Sequence, residues 1–194
     1  MNEKERMLSG GFYHPGDEQL VADRLRARSL TMRYNALPPG AWDEHAKILE
    51  ELLGHAGYDC WFEPPFHCDY GYNIAVGDGF YANFNCTLLD CAKIQIGSHV
   101  MFGPNVVIAA ATHPLLPEQR NSGFEFGRPV TIGNNVWLGA GVVVNPGVTI
   151  GDTAVIGCGS VVTKDIPPDV LAVGIPCRVL RPITEADRME MGRP

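Results

Sequence analysis

The stretch IAAATHPLLPEQRNSGFEFGRPVTIG, from Ile108 to Gly133, places a lone His-Pro pair, His113 and Pro114, where a short repeat on both flanks stops. An imidazole titrates near neutrality, so a histidine held in a cleft can take a proton from a hydroxyl that is otherwise a poor nucleophile. One His-Pro pair alone reads more simply as a loop histidine satisfying hydrogen bonds. The other reactive residue types are dispersed. Cys60, Cys68, Cys86, Cys91, Cys158 and Cys177 never fall into a CxxC spacing, which argues against a zinc cluster or a disulfide framework and for reduced, mostly buried thiols. A net charge of -7 argues against a broad nucleic-acid surface but leaves room for a local cationic site that would meet a phosphorylated ligand.

The scaffold that must position His113 is written in the repeat itself. Ile132, Leu138, Val144, Ile150, Ile156 and Val162 recur every sixth residue, and Gly133, Gly139, Gly151 and Gly157 follow four of them. Val136, Val142, Val148, Ala154 and Ser160 hold the position four residues later. Ile96, Phe102 and Ile108 form an earlier block of the same spacing, and Val76, Ala82 and Leu88 form another, offset by two extra residues near Ile94 and Gln95. On a helix an apolar residue every sixth position spirals around the axis and makes no stripe. Short extended faces joined by tight turns instead aim every sixth side chain at one axis, with Gly and Asn accepting the turn angles. Three such faces make one triangular coil, and a coil with packed faces has no cleft of its own. A loop leaving that coil is therefore a place where a cleft can begin.

The 194 residues suit one domain or one domain with a short extension, and 45% hydrophobic with 19% charged residues is ordinary for a soluble globular chain. No stretch approaches the ~18 uninterrupted apolar residues of a membrane span. MNEKERMLSGG is charged and lacks the apolar core of a secretory signal, so a cytoplasmic protein is expected. Asp17 to Asn35 and Ala41 to Gly57 read as amphipathic helices separated by the breaker LPPG. The expected organisation is a helical cap over 1–58, a β-helix over 59–181 with an excursion loop around 109–129, and a tail over 182–194.

The repeat resembles the left-handed parallel β-helix of the hexapeptide-repeat acyltransferases, and the resemblance supplies the hand, an exception to the usual right-handed crossover. Longer strings narrow it: ADRLRARSL, EPPFHCDYGYNI, FYANFN, THPLLPEQR, VTIGNNVWLGAGVVVNPGVTIGD and VVTKDIPPDVLAVGIPCRVLR together resemble the maltose, galactoside and nodulation sugar O-acetyltransferases. YHPGDEQL and CDYGYNI are most similar to the maltose-type branch. The resemblance covers nearly the whole chain. It implies acetyl-CoA as cosubstrate, no metal, and His113 as general base, deprotonating a sugar hydroxyl as its oxygen attacks the thioester. The resulting tetrahedral intermediate would release the CoA thiolate, and a backbone N–H would stabilise its oxyanion.

The same resemblance assigns Asp17, Asp69 and Asn83 to sugar hydroxyls, a role for which carboxylates and amides are suited. An N-cap is the plainer reading of Asp17 and a turn residue that of Asn83. Some galactoside-acetylating relatives carry Ser at Asp69 and an acidic residue at Cys91, which points away from a galactoside acceptor. For CoA the resemblance indicates Trp137, Ala140, Cys158, Thr163, Lys164 and Arg178: small residues for close approach of the pantetheine arm, and Lys164 with Arg178 for phosphate charge. It further implies a homotrimer with active sites between subunits, and no nucleic-acid or membrane partner. Two rivals stand beside it. A zinc enzyme built from His67, His99 and His113 needs ligands that are widely spaced here, and a non-catalytic CoA- or sugar-binding module would keep the scaffold without turnover. Acetyl transfer to serine or a hydroxylated antibiotic is a third possibility within the enzyme class.

Overall fold

The computed structural model describes residues 1–190. Its centre is a three-walled parallel β-helix, as the six-residue phase requires. The first wall stacks His55–Ala56, Ile74–Val76, Ile94–Ile96, Val130–Ile132 and Thr149–Ile150, and the third stacks His67–Cys68, Thr87–Leu89, Val107–Ala109, Val143–Val144 and Val161–Val162. The second wall runs from Trp61–Phe62 through Tyr81–Ala82, Met101–Phe102, Trp137–Leu138 and Val155–Ile156 to Val170–Val173. There Arg178–Pro182 folds back antiparallel and closes the edge. Every residue of the repeating phase from Val76 to Val162 is buried, as are Val136, Val142, Val148, Ala154 and Ser160 at the corners. Ser160, the one polar member, stays satisfied by donating to the Gly157 carbonyl at 2.6 Å and accepting from the Gly174 N–H at 3.0 Å.

Stacking also explains the polar residues and glycines of the repeat. At the edge between the first and second walls, Asp78, Ser98, Asn134 and Asp152 each accept the backbone N–H of Tyr58, Asp78, Ser98 and Asn134 respectively, at 2.6 to 3.1 Å. One coil's side chain thus replaces a backbone partner for its neighbour. A Cβ on Gly133 would stand 2.7 Å from the Asp152 nitrogen, so only glycine lets successive coils close to this distance.

Three helices cap the first coil: α1 (Glu3–Leu8), α2 (Glu18–Asn35) and α3 (Trp42–Leu52). Asp17 caps α2, and its face of Leu20, Ala27, Leu30, Thr31 and Tyr34 packs inward. The Tyr34 hydroxyl donates to the Phe62 carbonyl at 2.6 Å, and Asn35 exchanges two hydrogen bonds with the Phe66 backbone. The helix expected to reach Gly57 ends at Leu52. Gly54 donates to the Ile74 carbonyl at 3.0 Å and His55–Ala56 already pairs with Ala75–Val76, so coil pairing takes these residues from the helix. α1 was absent from the sequence expectation, although its capping box of Asn2 and Glu5 is legible in the residues. In the tail, Arg181 forms two hydrogen bonds with the Asp187 carboxylate across a short 3-10 turn, Glu185–Asp187. Residues 191–194 of the expected tail lie outside the described residues. Among the described residues no helix is long and apolar enough to cross a membrane.

The edge from the third wall to the first breaks the regular period. Ala75 pairs with His55, twenty residues before it, whereas Thr149 pairs with Thr131, eighteen before it. The additional residues of the early coils collect in the corners after Cys68 and after Leu89, and the third such corner opens into the excursion loop. Asp90 organises this edge from within. Fully buried, its Oδ1 accepts the N–H groups of Asp69 and Tyr70 at 2.9 and 2.8 Å and its Oδ2 that of Asn73 at 3.3 Å, while the Asn73 amide returns a bond to the Asp90 carbonyl.

Burial pushes the Asp90 carboxyl up to about 6, against the pull of those three N–H groups. The folded chain therefore holds this proton more tightly than the unfolded chain, and the associated stability is present below about pH 4 and lost as the pH rises through 6. Melting of the native chain and Asp90→Asn from pH 4 to 7 should show the native advantage shrinking by on the order of 3 kcal/mol toward the upper end. A constant difference between the two would refute the assignment.

Candidate functional site

His113 is positioned by a loop that is itself strapped down. Ala111–Thr112 pairs antiparallel with Phe126–Gly127, and between them Pro117–Arg120 forms a single helical turn. Arg120 donates to the Pro114 and Leu115 carbonyls at 3.1 and 3.0 Å, holding the segment just after His113. A Cβ on Gly127 would meet the Ala92 side chain at 2.7 Å and the Cys91 sulfur at 3.0 Å, so glycine lets the return strand lie flat on the irregular edge. The N-terminal segment crosses the loop: Tyr13 and Glu125 exchange both backbone hydrogen bonds, at 3.0 and 3.1 Å, flanked by the edge-to-face pairs Phe12–Phe126 and His14–Phe124. Met7, Tyr13, Leu20, Tyr70 and Cys91 form a small second core beneath it.

The polar groups converge on a cavity of about 280 Å³ lined by Pro15, Arg24, Arg28, Asp69, Tyr70, Cys91, Ala111 and Glu125. His113 is half exposed and reaches this cavity only through its lining residue Glu125, with Nε2 3.8 Å from Glu125 Oε2, while the Glu125 side chain is only 19% exposed. The Tyr13 hydroxyl donates to Glu125 Oε1. Burial, then the Glu125 bond, hold that phenol protonated well above its ordinary range, so it remains a donor. Burial raises the Asp69 carboxyl, Glu125 adds to the rise, and Arg24 and Arg28 oppose it. Arg24 is anchored, donating to the Tyr70 hydroxyl at 2.7 Å and to the Pro15 carbonyl at 2.6 Å. Burial pushes the Cys91 thiol up to about 12, which keeps it a neutral wall of the cavity and not a nucleophile at neutral pH. The arrangement offers an accessible imidazole beside the Glu125 carboxylate, with the Asp69 carboxyl in the cavity that Glu125 lines, groups able to accept from hydroxyls.

The residues singled out from sequence divide between edges. His113 and Asp69 meet at the edge from third wall to first, where Thr163 and Lys164 also stand, exposed, in a later coil. Asn83, Ala140 and Cys158 lie at the other edge of the third wall, linked through the coils by Asn83 N–H to Phe102 carbonyl, Gly141 N–H to Pro104 carbonyl and Gly159 N–H to Ala140 carbonyl. Arg178 begins the closing strand beside Val173, and Trp137, half exposed, sits on the second wall. Asp17 spends Oδ1 on the N–H groups of Gln19 and Leu20 as an N-cap, and Asn83 Oδ1 accepts the Phe84 N–H at 2.8 Å, so each also has the plain structural role its type suggested. His67, His99 and His113 occupy a third-wall strand, a first-to-second corner and the loop, and no group of three metal-ligating side chains assembles among the described residues. Sequence reading missed Arg24, Arg28 and Glu125, which line the cavity, and Tyr13, which donates to Glu125. Tyr13, Arg24 and Arg28 fall in YHPGDEQL and ADRLRARSL, strings that carry the family resemblance, and Glu125 falls in the interrupted stretch after His113.

Comparison with known proteins agrees with this architecture. Residues 6–57 match the maltose acetyltransferase hexapeptide capping motif, and residues 129–164 match the bacterial transferase hexapeptide, six repeats. The galactoside O-acetyltransferase of Escherichia coli is 45% identical over 95% of this chain and 91% of its own. Nodulation protein L of Rhizobium meliloti is 48% identical over 91% of this chain and 97% of its own. Among solved structures, a maltose O-acetyltransferase from Clostridium difficile superposes with a TM-score of 0.94 at 51% identity, covering 95% of this chain and 99% of that one. A galactoside acetyltransferase in complex with coenzyme A gives 0.94 at 43%, covering 100% and 96%. Cap, coil and loop thus agree along the length of the chain, which belongs to the sugar O-acetyltransferase family of the hexapeptide-repeat acyltransferases.

Proposed function

We propose that this chain moves the acetyl group of acetyl-CoA directly to a hydroxyl of a glucose- or maltose-like sugar. The observation that carries the reading is the His113–Glu125 pair at 3.8 Å, with Glu125 and Asp69 lining one cavity, on a chain that matches sugar acetyltransferases from cap to closing strand. His113 Nε2 takes the proton of the acceptor hydroxyl as the oxygen attacks the thioester carbonyl. The same proton can then pass to the departing thiolate, with no acyl-enzyme. Asp69 holds further acceptor hydroxyls, and Asp17 follows the cavity-lining Pro15 by two residues.

Features of the later coils fit a long phosphorylated cosubstrate. Ala140 and the exposed Cys158 are small enough for a narrow arm to approach the backbone, and Trp137 offers a half-exposed face. Lys164 and Arg178 are exposed, and neither joins an ion pair among the described residues; Arg178 donates one N–H to the Cys177 carbonyl at 2.7 Å, and its remaining donors and the Lys164 ammonium could meet phosphate. Because Asn83, Ala140 and Cys158 lie across the third wall from His113, one chain presents the parts of the site on separate edges. We therefore propose that the working site forms between copies of a homotrimer, the His113 loop of one copy completing the Asn83 edge of the next.

Thiol release from acetyl-CoA should be strong with glucose or maltose, weak with serine and absent without acceptor. His113→Ala should lower kcat by roughly 10²- to 10⁴-fold with the fold intact. Undiminished turnover in that variant would remove His113 from the mechanism. Lys164→Ala and Arg178→Ala should each raise KM for acetyl-CoA by roughly 5- to 20-fold while leaving kcat at saturation nearly unchanged. An unaltered KM in both variants would mean that phosphate binds elsewhere.

A further inference from the structure

Glu125 is held more firmly than a loop carboxylate needs to be. Its backbone is bridged to Tyr13 in both directions, its Oε1 is occupied by the Tyr13 hydroxyl, and Tyr13 is itself fully buried. Burial keeps that phenol a donor, so it holds the orientation of the carboxylate through Oε1. The consequence is geometric: Oε2 is the carboxylate oxygen with no hydrogen-bond donor among the described residues, and it lies 3.8 Å from His113 Nε2. That separation is too long for a direct hydrogen bond. It is instead the spacing of two acceptors, an imidazole nitrogen and a carboxylate oxygen, side by side.

We infer that Glu125 is a specificity-determining residue that reads a second hydroxyl of the acceptor next to the one that reacts. Hydroxyl oxygens on neighbouring carbons, or on carbons one apart, can lie about a hydrogen-bond length from each other. Such a pair fits the two acceptors, one O–H directed at His113 Nε2 and the other at Glu125 Oε2. The second bond fixes which hydroxyl faces the base, because swapping the two would turn the acceptor out of the cavity. A simple alcohol has one partner and loses this alignment. Asp69, in the same cavity, adds a further acceptor. This inference rests on the proposed transfer to a sugar hydroxyl. The competing role for Glu125 is a clasp that only ties the N-terminal segment to the loop.

Glu125→Gln separates the two, since the amide oxygen still accepts from Tyr13 while an N–H donor replaces the Oε2 acceptor. Acetyl transfer is measured with glucose and each of its monodeoxy analogues, for the native chain and the variant, with melting temperature as a check on the fold. With the native chain, removal of the hydroxyl that is read should lower kcat/KM by roughly 10- to 100-fold. With Glu125→Gln, glucose should fall by the same factor and that analogue should fall no further. If the variant discriminates among the analogues as the native chain does, Glu125 reads no hydroxyl and the inference fails. A drop that is equal for every acceptor and accompanied by a lower melting temperature contradicts it too, and assigns the clasp. Absence of transfer from the native chain to any of these sugars would instead overturn the proposed function, a distinct outcome.

Discussion

Coil-to-coil hydrogen bonding is the constraint on which the rest of this structure depends. In a parallel β-helix the backbone of each wall strand pairs only with the strands one coil before and after it, so equivalent residues of successive coils are forced into columns. Inward columns must be apolar and outward ones are seen by solvent. Edges alone accept variety, because there the backbone turns and its N–H groups can be met by side chains such as Asp78, Ser98, Asn134 and Asp152. Chemistry on this scaffold is therefore edge chemistry. Extra residues can be added at an edge without shifting the walls, and this chain adds them at one edge, first to make the Asp90-centred corner and then to make the His113 loop.

Buried Asp90 and strapped Glu125 illustrate how the irregular edge is made rigid. Asp90 gathers three backbone N–H groups that the irregular corner would otherwise leave without partners, and its burial is the cost of that arrangement. Glu125 is fixed from the other side by the N-terminal segment, which reaches it only because α1 and α2 fold over the first coils. The helical cap thus does more than cover an apolar end. It supplies Arg24 and Arg28 to the cavity and Tyr13 to Glu125, so cap and loop build the cavity together.

Most of the scaffold was legible in the sequence because a six-residue apolar period has one plausible structural meaning, and the walls from Val76 to Val162 fall where that period puts them. The His113 loop was legible as an interruption of it. The contacts of the cavity were not, because Tyr13 and Glu125 are far apart in the chain and meet through a two-residue bridge that no local pattern records. Helix α3 was read too long since WDEHAKILEELL keeps helical spacing to its end, while the competing claim of the first wall on His55 and Ala56 comes from a coil twenty residues later. The turn role of Asn83 was legible from its residue type, and its Oδ1 accepts the Phe84 N–H at an edge of the third wall.

That edge position also carries the central claim, that His113 and Asn83 serve one site only when contributed by two chains, since the third wall separates them within one. The direct measurement mixes His113→Ala and Asn83→Ala, each depleted of activity alone, by co-expression or by unfolding and refolding together. Sites formed between copies would pair an intact His113 with an intact Asn83, and random assortment predicts recovery of about a quarter of native activity. Sites confined to single chains would leave the mixture as inactive as its parts, and that result would contradict the account.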